Sequence, residues 1–344
     1  MRWKSIMEPI NFNDQNQVLN NLELILSSED YDQDLFKAAD KIRQKYHGDK
    51  VHLRGLIEFS NYCSRSCYYC GLRRENKKPE RYRLSKGEIV SAALTAKELG
   101  YGTVVLQSGE DRYFTQEMIA EIVKEIKAKT DLAITLSLGE RTKKDYQAWR
   151  EAGADRYLLR FETSDPELYQ KLHPAGRFQD RIDNLYWLKE SGYQLGSGSL
   201  IGLPGQTVQS LAGDLRLYKK LDLDMVGLGP FLMNPDTPLA GTENGSFELT
   251  LKMLALTRII LPKAHLPATT ALGTIDSRGR EKALQKGANV MMPNVTPKEY
   301  RANYQLYPDK ICTDESPVDC SHCIPARLKT IDRYPARGPG HSLK

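Results

Sequence analysis

Leu56-Ile57-Glu58-Phe59-Ser60-Asn61-Tyr62-Cys63-Ser64-Arg65-Ser66-Cys67-Tyr68-Tyr69-Cys70-Gly71 runs an apolar strand directly into a loop that holds three of the chain's six cysteines, spaced C-x3-C-x2-C. Three thiolates on one short loop can converge on a single inorganic centre, and thiolate is the ligand that iron–sulfur clusters use. A four-iron cubane held by three protein thiolates leaves one iron open to a small molecule, which points to chemistry rather than electron storage. Zinc is the rival reading. Its sites pair their ligands or mix Cys with His, and no histidine lies between His52 and His173, so a fourth zinc ligand would come from far along the chain. Three cysteines this close cannot all pair as disulfides, which also need an oxidising compartment.

Outward from this loop, short apolar runs alternate with longer amphipathic segments. The strand candidates are Val51–Phe59, Thr103–Gln107, Ala133–Leu138, Arg156–Phe161, Gln194–Ile201, Met225–Leu228, Leu266–Ala271 and Ala288–Met292. Helical periodicity fills 85–99, 115–129, 142–152, 178–191, 207–221, 247–261 and 278–286. Ser85 stands in capping-box spacing with Glu88, Thr115, Thr142 and Thr207 open other helices, and Gly100, Gly153, Gly192 and Gly287 follow helix ends. Regular alternation forces parallel pairing with helices over the sheet. Eight units across 51–293 match the ~250 residues of a complete (β/α)8 TIM barrel; an open doubly wound sheet is the alternative. Residues 1–50 are expected to form an N-terminal helical extension packed outside the barrel, and 294–344 a C-terminal segment capping it, with a loosely ordered tail after Thr330.

Composition narrows the class. The net charge of +5 is spread over 49 basic and 44 acidic residues without a basic stripe, so nucleic acid is not indicated. No run approaches the ~18 apolar residues of a membrane span, and Met1–Pro9 contains no apolar core of a secretory leader. A cytoplasmic protein is the expectation.

Cys63-x3-Cys67-x2-Cys70 with an aromatic, Tyr69, before the last cysteine resembles the signature of the radical S-adenosylmethionine (SAM) superfamily. The resemblance implies a [4Fe-4S] cluster on these cysteines whose open iron binds SAM, and cleavage of SAM to a 5'-deoxyadenosyl radical. It also implies SAM contacts from Tyr69, from the Gln107-Ser108-Gly109-Glu110 loop after strand 2, and from Arg160, Glu162 and Arg181. Ser108 replaces a glycine usual in that loop. Independently of the resemblance, Arg160 and Glu162 lie two apart on one face of strand 4, and an inward pair of charges is costly unless engaged; a mutual salt bridge is the structural alternative. Thr135 and Ser137 share a face of strand 3, and Tyr300, Tyr304 and Tyr307 recur as on one helical face.

The other cysteines, Cys312, Cys320 and Cys323, are spaced C-x7-C-x2-C with His322 among them. An auxiliary [2Fe-2S] or [4Fe-4S] cluster, a Cys3His zinc site and inert thiols all remain open. The strings GLRRENK, LQSGED, GADRYLLR, GSLIGLPGQT and NPDTPLA further resemble the biotin synthase-like branch of radical SAM enzymes, and within it the maturases of [FeFe]-hydrogenase. That implies assembly of an organometallic diiron subcluster, with radical attack on the sulfur of an Fe(CO)2(CN)-cysteine precursor. It also implies a tyrosine-lyase maturase, a scaffold GTPase and an electron donor as partners, and a substrate space lined by Arg54, Thr135, Ser137, Thr269, Thr270, Tyr304 and Tyr307. Biotin synthase and methylornithine synthase are the alternatives within the class; a passive electron carrier and an ordinary SAM-dependent methyltransferase are alternatives outside it.

Overall fold

The computed structural model describes residues 10–344; Met1–Pro9, inspected above for a leader, lies outside them. Three helices, α1 (Gln15–Asn20), α2 (Leu22–Ser27) and α3 (Asp32–His47), precede the strand β1 (Lys50–Ser60). The chain then alternates through α4 (Lys86–Glu98), β2 (Thr103–Ser108), α5 (Gln116–Lys129), β3 (Ala133–Ser137), α6 (Lys143–Glu151), β4 (Arg156–Leu158), α7 (Pro166–Leu172) and α8 (Phe178–Glu190). It continues through β5 (Gln194–Ser197), β6 (Leu200–Ile201), α9 (Val208–Leu221), β7 (Met225–Val226), β8 (Gly229–Pro230) and α10 (Phe247–Ile260). Last come α11 (Thr270–Ile275), α12 (Gly279–Leu284), β9 (Val290–Met291), α13 (Lys298–Arg301), α14 (Pro317–Lys329) and β10 (Tyr334–Pro335). Capping chemistry sets the boundaries. Ser85 and Glu88 close a reciprocal box at α4, Thr142 and Asp145 do so at α6, and Thr207 and Ser210 at α9. Gly100, Gly153, Gly192 and Gly287 take the left-handed backbone that ends a helix at least cost.

The strands are parallel and run β10-β1-β2-β3-β4-β5-β7, with β9 against the other stretch of β1. This α/β sheet curls into a partial TIM barrel. Val104, Leu106, Ile134, Leu136 and Tyr157 are buried in the hydrophobic core, while Arg54, Thr103, Thr135 and Arg156, in the alternate phase, point inward. Outside, α1 and α3 pack on α10, and α2 on α9, burying Val18, Leu22, Ile25, Leu35 and Ala39.

Three expectations are corrected. Leu266–Ala271 is not a ladder strand: it makes only the bridge Pro267–Val290, with His265 just before it bridging Met225, because Pro267 lacks an N–H and Thr269 already stands at the N-cap of α11. Strand 4 stops at Leu158, before Glu162 turns to φ +68°. Strand 5 splits at Gly198, where any Cβ would stand 2.0 Å from the Gly227 carbonyl oxygen.

A fourth correction concerns the tail, which is built into the barrel. Tyr334 and Pro335 pair with Lys50 and Val51, and the chain then crosses the N-terminal ends of the strands. There Pro339 O accepts from Thr103 Oγ1 (2.8 Å) and Arg156 Nη2 (2.8 Å), and Gly340 O from Arg156 Nη2 (2.9 Å) and Arg54 Nη2 (3.4 Å). Two buried arginines facing each other need acceptors, and backbone carbonyls of the tail supply them. Burial lowers the guanidinium of Arg156 to about 10. Removing residues 334–344 should expose this floor and lower stability by about 1–3 kcal/mol, water replacing part of the lost hydrogen bonding. Urea unfolding checks it; an unchanged midpoint would mean the tail is a bystander.

Candidate active site at the cysteine loop

The three cysteines of the loop leave the C-terminal end of β1, and other elements hold the loop. Asn61 Nδ2 donates to Glu80 O (2.7 Å) and Asn303 O (2.8 Å), Tyr68 N–H to Leu172 O (2.9 Å), and Gly71 N–H to Leu306 O (2.9 Å). The loop after β2 lies flat against it. Ser64 N–H donates to Glu110 O (3.0 Å), Glu110 N–H to Cys63 Sγ (3.3 Å), and a Cβ at Gly109 would stand 2.1 Å from Tyr62 O. Glycine is therefore required at 109, whereas Ser108 is accommodated, its hydroxyl turned onto Gly109 O at 2.7 Å.

Cys63, Cys67 and Cys70 are free thiols. Burial pushes all three up, Cys67 to about 12, with Cys63 raising both Cys67 and Cys70 further. Among the described residues no three His, Cys, Asp or Glu stand close enough to hold a single metal ion. Three thiols around a multi-iron cluster stand farther apart than the ligands of one ion, and this donor set fits such a cluster.

Beside the thiols, Arg160 Nη2 lies 3.0 Å from Glu162 Oε2 and donates to Ser199 O at 2.7 Å. The Arg160–Glu162 contact is close but poorly aligned, so Arg160 Nε and Glu162 Oε2 are buried without a hydrogen-bond partner. Burial raises the Glu162 carboxyl despite Arg160 and Arg181. A glutamate held left-handed with unmet hydrogen bonds is the kind of strain that collects at ligand sites.

Behind this pair runs a buried ionic network. Arg181 Nε donates to Glu140 Oε1 (2.6 Å), and Arg65 binds Glu140 Oε2 and, at 2.8 Å, Glu110 Oε1. Glu110 Oε2 accepts the Glu140 N–H (3.0 Å), so the Glu110 side chain serves this network. Tyr69 OH sits 2.8 Å from His173 Nε2, while His173 Nδ1 faces Tyr169 O at 2.9 Å. With burial lowering His173 to about 3, the ring is neutral, donates at Nδ1 and accepts the tyrosine proton at Nε2.

The substrate candidates separate. Thr135 Oγ1 and Thr269 Oγ1 are buried inside without a partner. Ser137 pairs with Gln107 in the register, and Gln107 Nε2 lies 3.3 Å from Tyr304 OH. Thr270 lines a neighbouring cavity with Cys312, Cys320 and Cys323. Arg54 is not brought to this end: it lies on the barrel floor beside Met225 Sδ (2.9 Å) and Gly340. The tyrosines do not share a helical face, since the helix ends at Arg301. Tyr300 turns out to Tyr82 and Glu88, and Tyr304 turns in. Sequence reasoning missed Arg65, Glu140, His173 and the buried pair Glu58–Lys310, which Asn294 completes at 2.9 Å. Glu58 was within reach: it is in phase with Arg54 and Leu56 on β1.

Residues 57–218 match the model of the radical SAM superfamily. The chain is 51% identical to the [FeFe] hydrogenase maturase subunit HydE of Thermotoga maritima, over 99% of this chain and 97% of that one. It is 35% identical to a 3-methylornithine synthase of Methanosarcina acetivorans, over 82% and 81% of the two chains. The crystal structure of methylornithine synthase (PylB) superposes with a TM-score of 0.82 at 31% identity, covering 94% of this chain and 97% of that one.

Proposed function

The chain belongs to the HydE family of radical SAM enzymes, maturases of [FeFe]-hydrogenase, and we propose on that premise that its cysteine loop serves assembly of the organometallic diiron subcluster. Cys63, Cys67 and Cys70 would hold the [4Fe-4S] cluster. Together, cluster and SAM supply one-electron cleavage to methionine and a 5'-deoxyadenosyl radical. The observation that carries the reading is three free thiols on one loop beside a buried Arg160–Glu162 pair with unmet hydrogen bonds.

Each residue then has a physical task. Arg160 offers a guanidinium to the SAM carboxylate and Glu162 its open oxygen to the ribose hydroxyls. Arg181, fixed by Glu140, holds the Arg160 carbonyl from behind. Gly109 lets the 107–110 backbone approach the amino group, and Tyr69 is locked by His173. The segment 303–306, tied to Asn61 and Gly71, excludes water. Thr135 and Thr269 present unmatched hydroxyls to a polar substrate inside, read as an Fe(CO)2(CN)-cysteine precursor whose sulfur receives the radical. Ser137, Tyr304 and Tyr307 complete that wall, while Thr270 faces the neighbouring cavity. A cationic diamino acid would call for a free carboxylate, and Glu58 on the inner face of β1 is already paired with Lys310.

The bridges at His265 and Pro267 support reading the curled sheet as a complete barrel over 51–293, with 1–50 outside it and 294–344 capping it. Cys312, Cys320 and Cys323 would hold an auxiliary Fe–S cluster. A tyrosine-lyase maturase, a scaffold GTPase and an electron donor are the proposed partners. No helix among the described residues is long and apolar enough to cross a membrane; a cytoplasmic location is the proposal. In a reconstituted anaerobic maturation assay, omitting this protein should leave the hydrogenase inactive and restoring it should recover activity. Equal hydrogenase activity without it would end the assignment.

A further inference from the structure

Glu162 keeps a left-handed backbone, φ +68°, and a residue other than glycine stays there only where its surroundings over-determine it. Part of the restraint is main chain: Glu162 N–H donates to Gly198 O and Leu200 N–H to Glu162 O, each at 3.0 Å. The rest comes from α9. Asp214, fully buried on that helix, accepts at Oδ1 the N–H of Ser164, two residues beyond Glu162, at 2.6 Å. Gly213 lets the helix come this close, since a Cβ there would stand 2.8 Å from Ser164 Oγ. One turn on, Tyr218 OH meets the hydroxyl of Ser199. Ser199 bridges to Glu162, and its carbonyl accepts from Arg160 Nη2 at 2.7 Å. Residues four apart share a helix face, so one face of α9 reaches behind both members of the Arg160–Glu162 pair.

Asp214 is not an ion-pair partner. Its Oδ1 is taken by an amide, and its Oδ2 is buried without a hydrogen-bond partner. Burial, with the Glu162 carboxyl nearby, pushes the Asp214 carboxyl up to about 7. Burying an acid with one oxygen unmatched is costly, and what the carboxyl does here is hold one backbone amide in place. We propose that Asp214 is a positioning residue for nucleoside binding: its hold on the Ser164 amide fixes the turn that presents Glu162 to the ribose hydroxyls. This rests on the assignment of Glu162 made above.

The test is equilibrium dialysis of the anaerobically reconstituted full chain against 5'-deoxyadenosine and, separately, methionine. Asp214→Ala should weaken 5'-deoxyadenosine binding by roughly five- to tenfold, the effect of one buried hydrogen bond, and leave methionine binding unchanged, because methionine carries no ribose. Asp214→Asn keeps an oxygen for the Ser164 N–H and should recover most of the loss. Asp214→Ser, a milder change whose shorter side chain also gives up that amide, supplies the same comparison if the alanine chain does not fold. Undiminished 5'-deoxyadenosine binding in the alanine or serine chain, equal loss for both ligands, or no recovery in the asparagine chain each overturns the proposal. Glu162→Ala reads the premise separately. If it leaves 5'-deoxyadenosine binding unchanged, the ribose assignment falls and the role of Asp214 with it; if it weakens binding while Asp214→Ala does not, the role of Asp214 alone falls.

Discussion

Replacing Cys63, Cys67 and Cys70 together by serine should abolish SAM cleavage and the SAM-responsive paramagnetic signal of the reduced protein, while leaving the fold in place. The fold survives because no disulfide is lost and the loop is tied down by other groups. Ser64, Tyr68 and Gly71 donate their amides to Glu110, Leu172 and Leu306, and Asn61 spans to Asn303. Serine offers no thiolate, and thiolates are what hold the cluster. Anaerobic reconstitution, followed by electron paramagnetic resonance and chromatography of 5'-deoxyadenosine, reads both effects, with far-ultraviolet circular dichroism as the folding control. Retention of cleavage by the triple variant would move the chemistry elsewhere in the chain.

Glu140→Gln should cost about 3–5 kcal/mol of stability, the loss expected when one partner of a buried ion pair is removed and the other stays charged. Glu140 is the shared anion of Arg181 and Arg65, with its side chain and that of Arg181 each only 10% exposed. Burial and the neighbouring carboxylate act in opposition on Arg181, and the guanidinium stays strongly favoured in its charged form. The substitution should also weaken SAM binding, since Arg181 hydrogen-bonds the Arg160 carbonyl and Arg65, shared with Glu110, loses the Glu140 charge. Glu140→Asp should recover part of both. Urea unfolding and SAM titration measure the two effects; unchanged values in both would reduce the network to decoration.

Local chemistry was legible from the chain. The capping pairs at Ser85, Thr142 and Thr207 stand where their spacing put them, since a cap joins residues three apart. Arg160 and Glu162 do meet, 3.0 Å apart, yet not by strand alternation, since the strand stops at Leu158 and Glu162 turns left-handed. Arg54 shows the limit. Alternation correctly turns it inward, yet inward has two ends, and Arg54 belongs to the floor with Arg156 rather than to the cysteine loop. Tyr300 and Tyr304 show another: helical spacing exists on paper, while the helix stops at Arg301, and the two rings take opposite sides.

By itself the sequence determined the cysteine loop, the strand–helix alternation and the chemistry class, because these depend on neighbours within a few residues. Tertiary structure alone decided that the tail seals the barrel floor and that Glu140 anchors Arg181. Such facts rest on partners distant along the chain, as with Arg156 and Pro339, 183 residues apart. A buried charge finds its acceptor only after the backbone has brought the two ends of the chain together.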